Sequence, residues 1–398
     1  MRYLWLPLSL ILFLFVLGIL LWSKIHTYAN SPSALIGIWD GFAEINPRIV
    51  EPGFIVFTEG GYDGQFFYFI AKSLFSDLDW DVIVDSYFFR LHRIGFTLLV
   101  GIPSAMIGFK FYPIIAIILP FLIFLISVYY FYKMLPDSKK WYCLFYLFSP
   151  FSMNSHLLLV ADGVFTSVVV LLIYSIKNRS HWAISFLLLT LAIFTRELGI
   201  IVAFPLLLAC YKEHNYRLTF LFFIPFVLFV SFWLWTRSHL PPHLGTNPLG
   251  FKDMVDLPLL GFYKSFFDLG TFHLSPKESV KILLFFQWLV LSLFLISKIT
   301  KERFRLITEL DKIQNEFILL FPIFASLGII LIAEEGYWRS FDNLSRMFTL
   351  ILPLGVLYNA KKESVFLSLF RYTSLILFLF FIVRIVFITK SKGFYISP

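Results

Sequence analysis

Charge is scarce in this chain. Only 15% of its 398 residues are Asp, Glu, Lys or Arg, against about 25% in an ordinary soluble domain. With 59% hydrophobic and 20% aromatic residues, a water-soluble globule of this length is excluded, because its surface could not hide that much Phe, Leu and Ile. Cysteine is nearly absent as well. Cys143 and Cys210 both lie inside apolar runs, which rules out a disulfide scaffold and a Cys-rich metal site and leaves them as packing residues. No P-loop, dinucleotide fingerprint, Ser-His-Asp order or His-rich metal pattern occurs, so soluble-nucleotide chemistry has no support. The formal net charge of +8 would suit a nucleic-acid binder. However, the Lys and Arg residues sit in short clusters between apolar runs, which is the pattern of cytoplasmic loops.

What the chain does have is apolar runs long enough to cross a bilayer, about 17–25 residues each. The first, Leu4 to Trp22, follows a lone Arg2 and leaves through Trp-Ser-Lys-Ile rather than a small-x-small cleavage site. It reads as an uncleaved first crossing with Met1 in the cytoplasm. Others fall at 111–132, 141–160, 162–176, 182–195, 198–211, 218–236, 280–298, 316–333, 346–359 and 365–388. None alternates with period two, and in lipid a helix is what satisfies its own backbone. The expected fold is therefore all-α: a polytopic transmembrane bundle in one integral membrane domain, 1–398. Lys133, Lys139 and Lys140, then Lys177 and Arg179, Lys212 and Arg217, Lys298, Lys301, Arg303 and Arg305, and Lys361 and Lys362 mark cytoplasmic loops. Segment 94–109, broken by Gly101 and Pro103, is then expected to lie along or dip into the outer face. That leaves about 11 crossings. The outer face receives a long first loop, 24–93, with interfacial helices and nine of the 25 acids, together with loops 237–279 and 334–345.

Five constellations on that face carry potential chemistry. In Glu59-Gly-Gly-Tyr-Asp-Gly-Gln-Phe-Phe-Tyr68, glycines surround one carboxylate, Asp63, beside Tyr62, Gln65 and Tyr68. It is either a general base with sugar-facing neighbours or the N-cap of an interfacial helix. Arg90 and Arg93, three residues apart with His92 between them, suit a lipid-linked phosphate or ordinary headgroup anchoring. Asp162 opens an apolar run, and an ionisable group there is either functional or a cap. Arg196 and Glu197 sit between two runs with barely a loop, meeting substrate or neutralising a turn. In Glu334 to Arg346, Tyr337 and Trp338 read as belt aromatics, while Arg339 and Arg346 could serve a phosphate. Asp79-Trp-Asp81 has metal-pair spacing, but an acid-rich loop produces such pairs by chance. No metal is expected, with a divalent ion at this pair as the alternative.

In order, these features resemble the GT-C superfamily of membrane glycosyltransferases, which use polyprenyl-phosphate-linked sugars, and within it bacterial relatives of the phosphatidylinositol-glycan mannosyltransferases. The matching stretches are Tyr62-Asp-Gly-Gln-Phe-Phe-Tyr68, Arg90-Leu-His-Arg-Ile94 and Thr195-Arg-Glu197, with Asp162 placed before a helix. The likeness covers about 1–215; segment 216–398 matches in character only. Adjacent acids common in the first loop of some members are missing around Asp63. The resemblance implies an inverting hexosyltransferase, moving mannose or another hexose from a polyprenyl-phosphate donor to a lipid, glycan or protein acceptor. Its place would be the periplasmic face of a bacterial inner membrane. It also implies catalytic roles for Asp63, Asp162 and Glu197, and substrate binding by Tyr62, Gln65, Tyr68, Arg90, His92, Arg93, Arg196, Trp338, Arg339 and Arg346. The alternatives are a transporter or flippase, or a non-catalytic assembly partner, for lipid-linked cell-surface glycans.

Overall fold

The computed structural model describes residues 5–76, 84, 86–178, 180–240, 254–268, 271–272, 276–302, 310–388 and 391–398. Asp77, Asp79, Asp81, Asp85, Arg179, Arg303 and Arg305 lie outside them, including the one pair with metal spacing. The described chain is mostly helical. Among the described residues five helices are long and apolar enough to cross a membrane: Leu6–Ile25, Phe109–Met134, Tyr216–His239, Val280–Thr300 and Val365–Ile388. Their lipid-compatible surface is apolar outside as well as inside. On the first, Leu8, Ile11, Leu12 and Phe15 are all exposed. Four shorter apolar helices, Ile94–Ile107, Trp182–Thr195, Gly199–Lys212 and Glu316–Leu331, accompany them. Such a chain is compatible with an integral membrane protein.

In chain order, α1 is Trp5–Ile25, α2 Asp40–Ile45, α3 Gly64–Phe75, α4 Tyr87–Leu91, α5 Ile94–Ile107 and α6 Tyr112–Met134. Then come α7 Cys143–Leu147, α8 Pro150–Leu157, α9 Ala161–Lys177, α10 Trp182–Thr195, α11 Gly199–Lys212, α12 Tyr216–His239 and α13 Leu260–Lys264. The last are α14 Pro276–Glu302, α15 Leu310–Leu331, α16 Glu335–Arg339, α17 Phe341–Phe348, α18 Ile351–Lys361 and α19 Val365–Val383, followed by a π-helical turn, Arg384–Ile388. Helix α9 is the centre of the bundle, packed between α6 and α10, and Val164, Val168, Val169 and Leu172 on it are fully buried.

The apolar run 141–160 does not form one helix. It divides into a 3₁₀ turn, Asp137–Tyr142, then α7 and α8. The cause is Ser149-Pro150: proline lacks the N–H that would continue the ladder, and the residue before it is driven extended, here with ψ 116°. Ser149 Oγ then accepts from Ser152 N at 3.2 Å and starts the new helix. Helix α5 spans only about 21 Å at 1.5 Å per residue. Gly95 near its start abuts Thr195. Just beyond its end, Phe109 meets Tyr68 and lies under Lys72. Between them Gly101 lies against Ala71 and Phe75 of α3, so α5 packs along a helix of the first loop.

Polar side chains collect at two ends of the bundle. At one end, Lys139 pairs with Glu363 at 2.6 Å, Lys362 with Glu316 at 2.5 Å, and Lys177 Nζ donates to Met134 O at 3.0 Å. The other end holds the carboxylates of Asp63, Asp162, Glu197 and Asp342 with Arg90, Arg93, Arg196, Arg346 and Arg384. It is roofed by a small sheet in which β1 (Ile38–Trp39) pairs parallel with β2 (Ile55–Phe57). A short hairpin, β3 (Phe267–Asp268) with β4 (Thr271–Phe272), lies elsewhere. The third strand of the roof, β5 (Phe394–Ile396), comes from the far end of the sequence and runs antiparallel to β2, with Val56 opposite Tyr395. The two ends of the chain are thus sewn together beside the first loop.

Candidate active site

The Asp63 turn is held by its backbone. Tyr62 N donates to Gly37 O at 2.9 Å, and Lys392 Nζ donates to Gly60 O at 2.9 Å and Glu59 O at 3.3 Å. Gly60 takes φ +79°, a conformation that a side chain resists. A Cβ on Gly64 would lie 2.7 Å from Leu158 O and 2.9 Å from Ile36 O. Only glycine lets the first loop press so closely on the corner between α8 and α9, and that contact brings Asp63 and Asp162 into one site.

Asp63 precedes α3 but does not cap it: its backbone is already helical and its side chain accepts no bond from the helix. The carboxylate turns to arginines instead. Arg346 Nη1 donates to Oδ2 at 2.6 Å, and Arg90 Nη1 stands 3.8 Å from Oδ1 with its guanidinium 3.4 Å over the Phe66 ring. Arg346 comes from α17, where its Nη2 also donates to Asn343 Oδ1 at 3.2 Å and its Nε lies 3.9 Å from Asp162 Oδ2. Asp162, 2% exposed at the start of α9, forms an ion pair with Arg196 at the end of α10. One residue on, Glu197 takes a two-point fork from Arg93, with Nη2 to Oε1 at 2.8 Å and Nε to Oε2 at 3.1 Å.

Electrostatics follow from this geometry. Burial pushes the Asp63 carboxyl up, but Arg346, Arg90 and the Arg346 hydrogen bond outweigh it and hold its pKa at about 2. Burial likewise opposes ionisation of Glu197, and Arg93 holds it at about 2. Asp342, on α17 one turn before Arg346, is also held low, burial being outweighed by Arg384. Arg384 binds it through Nη1 to Oδ1 at 2.7 Å and Nη2 to Oδ2 at 2.8 Å.

No protein-family model, curated protein or solved structure matches this chain.

Seven of the residues singled out in the sequence meet here: Asp63, Arg90, Arg93, Asp162, Arg196, Glu197 and Arg346. Six have other surroundings. Tyr68 is fully buried and its hydroxyl donates to Ile49 O at 2.6 Å, locking the first loop rather than facing a substrate. Gln65 is 3% exposed and its Oε1 accepts from Trp39 N at 3.0 Å. Trp338 is 1% exposed and packs its ring edge-on to Phe262, so it is neither a belt residue nor a substrate platform. Arg339 pairs with Glu335 and donates to Phe267 O at 3.1 Å. His92 lies against Phe229 and Trp233, and burial brings its pKa down to about 4, so it is neutral near pH 7 and no counter-charge for phosphate. Tyr62 turns to the neighbouring side of the turn, beneath Lys24 and Lys392.

Sequence reasoning missed Asp342, Arg384 and Lys392. Arg384 carried a signal, an ionisable group inside the apolar run 365–388. Lys392 carried none, because its role depends on where the C-terminal strand docks. Among the described residues no group of three or more His, Cys, Asp or Glu side chains gathers in a metal-binding arrangement.

Proposed function

We propose that this chain is a membrane-embedded glycosyltransferase of the GT-C type that moves a hexose, mannose or a close relative, from a polyprenyl-phosphate donor to a lipid, glycan or protein acceptor. The observation that carries the reading is the clamp of Asp63 by Arg346 with Arg90 alongside. A carboxylate suited to take a proton and guanidinium forks suited to hold phosphate occupy one site beside an apolar bundle. The end with Lys139, Lys177 and Lys362 faces the cytoplasm on this reading, in line with the bias of basic loops, which supports a site on the outer face. On this reading α5 stays at that face, and eleven traversals carry the chain between the two ends.

In the reaction, the acceptor hydroxyl attacks the anomeric carbon from the side opposite the donor phosphate. Asp63 takes the hydroxyl proton, the bond from the anomeric carbon to the phosphate oxygen breaks, and the electron pair leaves with the polyprenyl phosphate, which gains one negative charge. Arg90 and Arg346 stabilise that charge as it develops. Configuration inverts. Asp162 and Glu197 hold Arg196 and Arg93 in place as positioning residues. At rest, Asp63 with a pKa of about 2 is a weak base. A donor phosphate that draws Arg346 to itself removes the largest opposing charge and leaves burial dominant, so the base strengthens when the donor arrives. Purified full-length protein in detergent, given a radiolabelled polyprenyl-phosphate hexose and a lipid acceptor extract, tests this. Parent protein transfers label, and Asp63→Asn loses about 10²–10⁴-fold. Equal transfer by the variant removes Asp63 as base, and no transfer by the parent from mannosyl or glucosyl donors removes the reading.

A further inference from the structure

A second polar pocket lies where α1 leaves the bundle. It measures about 70 Å³, room for several water-sized groups. Ser23, Lys24, Tyr28, Tyr62, Ile385 and Ser391 are among the residues that line it, and none of them belongs to the carboxylate–arginine cluster. Two of its groups are incompletely satisfied. Lys24 Nζ stands 5.1 Å over the Tyr62 ring, and among the described residues no carboxylate lies within ion-pair distance of it. Ser23 Oγ is buried with no hydrogen-bond partner. The nearest acid in Lys24's field is Asp342, which is committed to the Arg384 fork. Lys392 is occupied by the Glu59 and Gly60 carbonyls, and Glu59 itself is exposed. A half-buried ammonium beside an unused hydroxyl calls for an anion.

The walls say what kind. On one side the pocket is lined by Ala34 and Leu35. On the other it meets the π-helical turn, where Phe387 is 78% and Ile388 57% exposed. A charged group seated at Lys24 therefore has exposed apolar surface beside it for an attached chain.

We propose that this pocket is a headgroup site for a phosphate-bearing membrane lipid, with Lys24 as its counter-charge and Ser23 as a second hydrogen-bond donor. It does not rest on the transfer reaction, since it concerns binding alone. The full chain, purified in zwitterionic phosphatidylcholine micelles, is mixed with phosphatidylglycerol and analysed by native mass spectrometry and thermal melting. The parent retains one phosphatidylglycerol in preference to phosphatidylcholine and melts higher with it. Lys24→Met loses that preference about tenfold, the change expected when one charge-assisted hydrogen bond goes, while Lys24→Arg keeps it. In phosphatidylcholine alone Lys24→Met melts no lower than the parent, because an apolar chain of similar length fills the same space. Unchanged lipid preference in Lys24→Met overturns the proposal, as does an equal loss of melting temperature with and without phosphatidylglycerol. Inorganic phosphate that raises the parent's melting temperature as much as the lipid does assigns the pocket to free phosphate and overturns the lipid assignment.

Discussion

Asp162 and Arg196 show how a buried charge is tolerated only as one of a pair. The Asp162 side chain is 3% and the Arg196 side chain 11% exposed. Replacing Arg196 with Met leaves the carboxylate with only Arg346 Nε, 3.9 Å away, and should destabilise the protein by about 3 kcal/mol. The double variant Arg196→Met with Asp162→Asn should recover most of that loss in thermal melts, and a double variant no better than the single would remove the pair as the cause. Acid should act through the same chemistry. Asp63 and Glu197 fall from ordinary values of 3.8 and 4.5 to about 2. A carboxyl depressed on folding contributes stability that is complete above its unfolded pKa and lost as pH falls through its folded one. Melting temperature should thus hold down to about pH 4.5 and drop progressively toward pH 2. A flat profile across that interval would contradict the arginine clamps.

At the scale of elements, the C-terminal strand is the surprising part. Residues 391–398 reach back across the whole sequence to close the sheet over the first loop. Gly53 N donates to Ser397 O at 3.0 Å and Ser397 N to Phe54 O at 2.8 Å. Lys392 then fixes the carbonyls just before Tyr62 and Asp63. Removing 391–398 should leave the helical bundle folded, since none of its helices loses a segment. It should cut transfer by about tenfold or more, because small misplacements of a reacting group are costly. Circular dichroism and the transfer assay together check this: full activity in the truncated chain would make the strand a bystander. The ends of the helices follow local rules more closely. Ser149-Pro150 combines a capping hydroxyl with a residue that lacks the N–H, so the division of 141–160 had a local signal, although the length of the apolar run hid it.

For the whole molecule, the main organising feature is the segregation of two ion-pair clusters, one around Glu316 and Glu363 and one around Asp63 and Asp162. Single cysteines in a chain whose Cys143 and Cys210 are replaced by Ser should report it. Glu59→Cys and Ser391→Cys should react with an impermeant maleimide in intact cells stripped of their outer envelope. Ser138→Cys and Lys362→Cys should react only after the membrane is opened. The same sidedness at all four positions would undo the orientation. The pairing of β5 with β2 puts 394–396 beside the first loop, which on the proposed topology calls for an even number of crossings between them.

Composition and run length by themselves determined that the chain is helical and suited to lipid, because hydrophobic burial and backbone satisfaction are local demands that each segment meets alone. Residue chemistry also marked most of the site, since a charge beside an apolar run is expensive wherever the chain folds. Partnership was not local. Whether Asp63 capped a helix or met a guanidinium, whether His92 carried charge, and which arginines faced which acids depended on contacts between positions up to several hundred residues apart. Arg346 reaches Asp63 only because α17 docks beside the Gly64 corner, and Lys392 reaches Gly60 only because the last strand pairs with β2. Those distances are set by packing, and packing belongs to the tertiary structure.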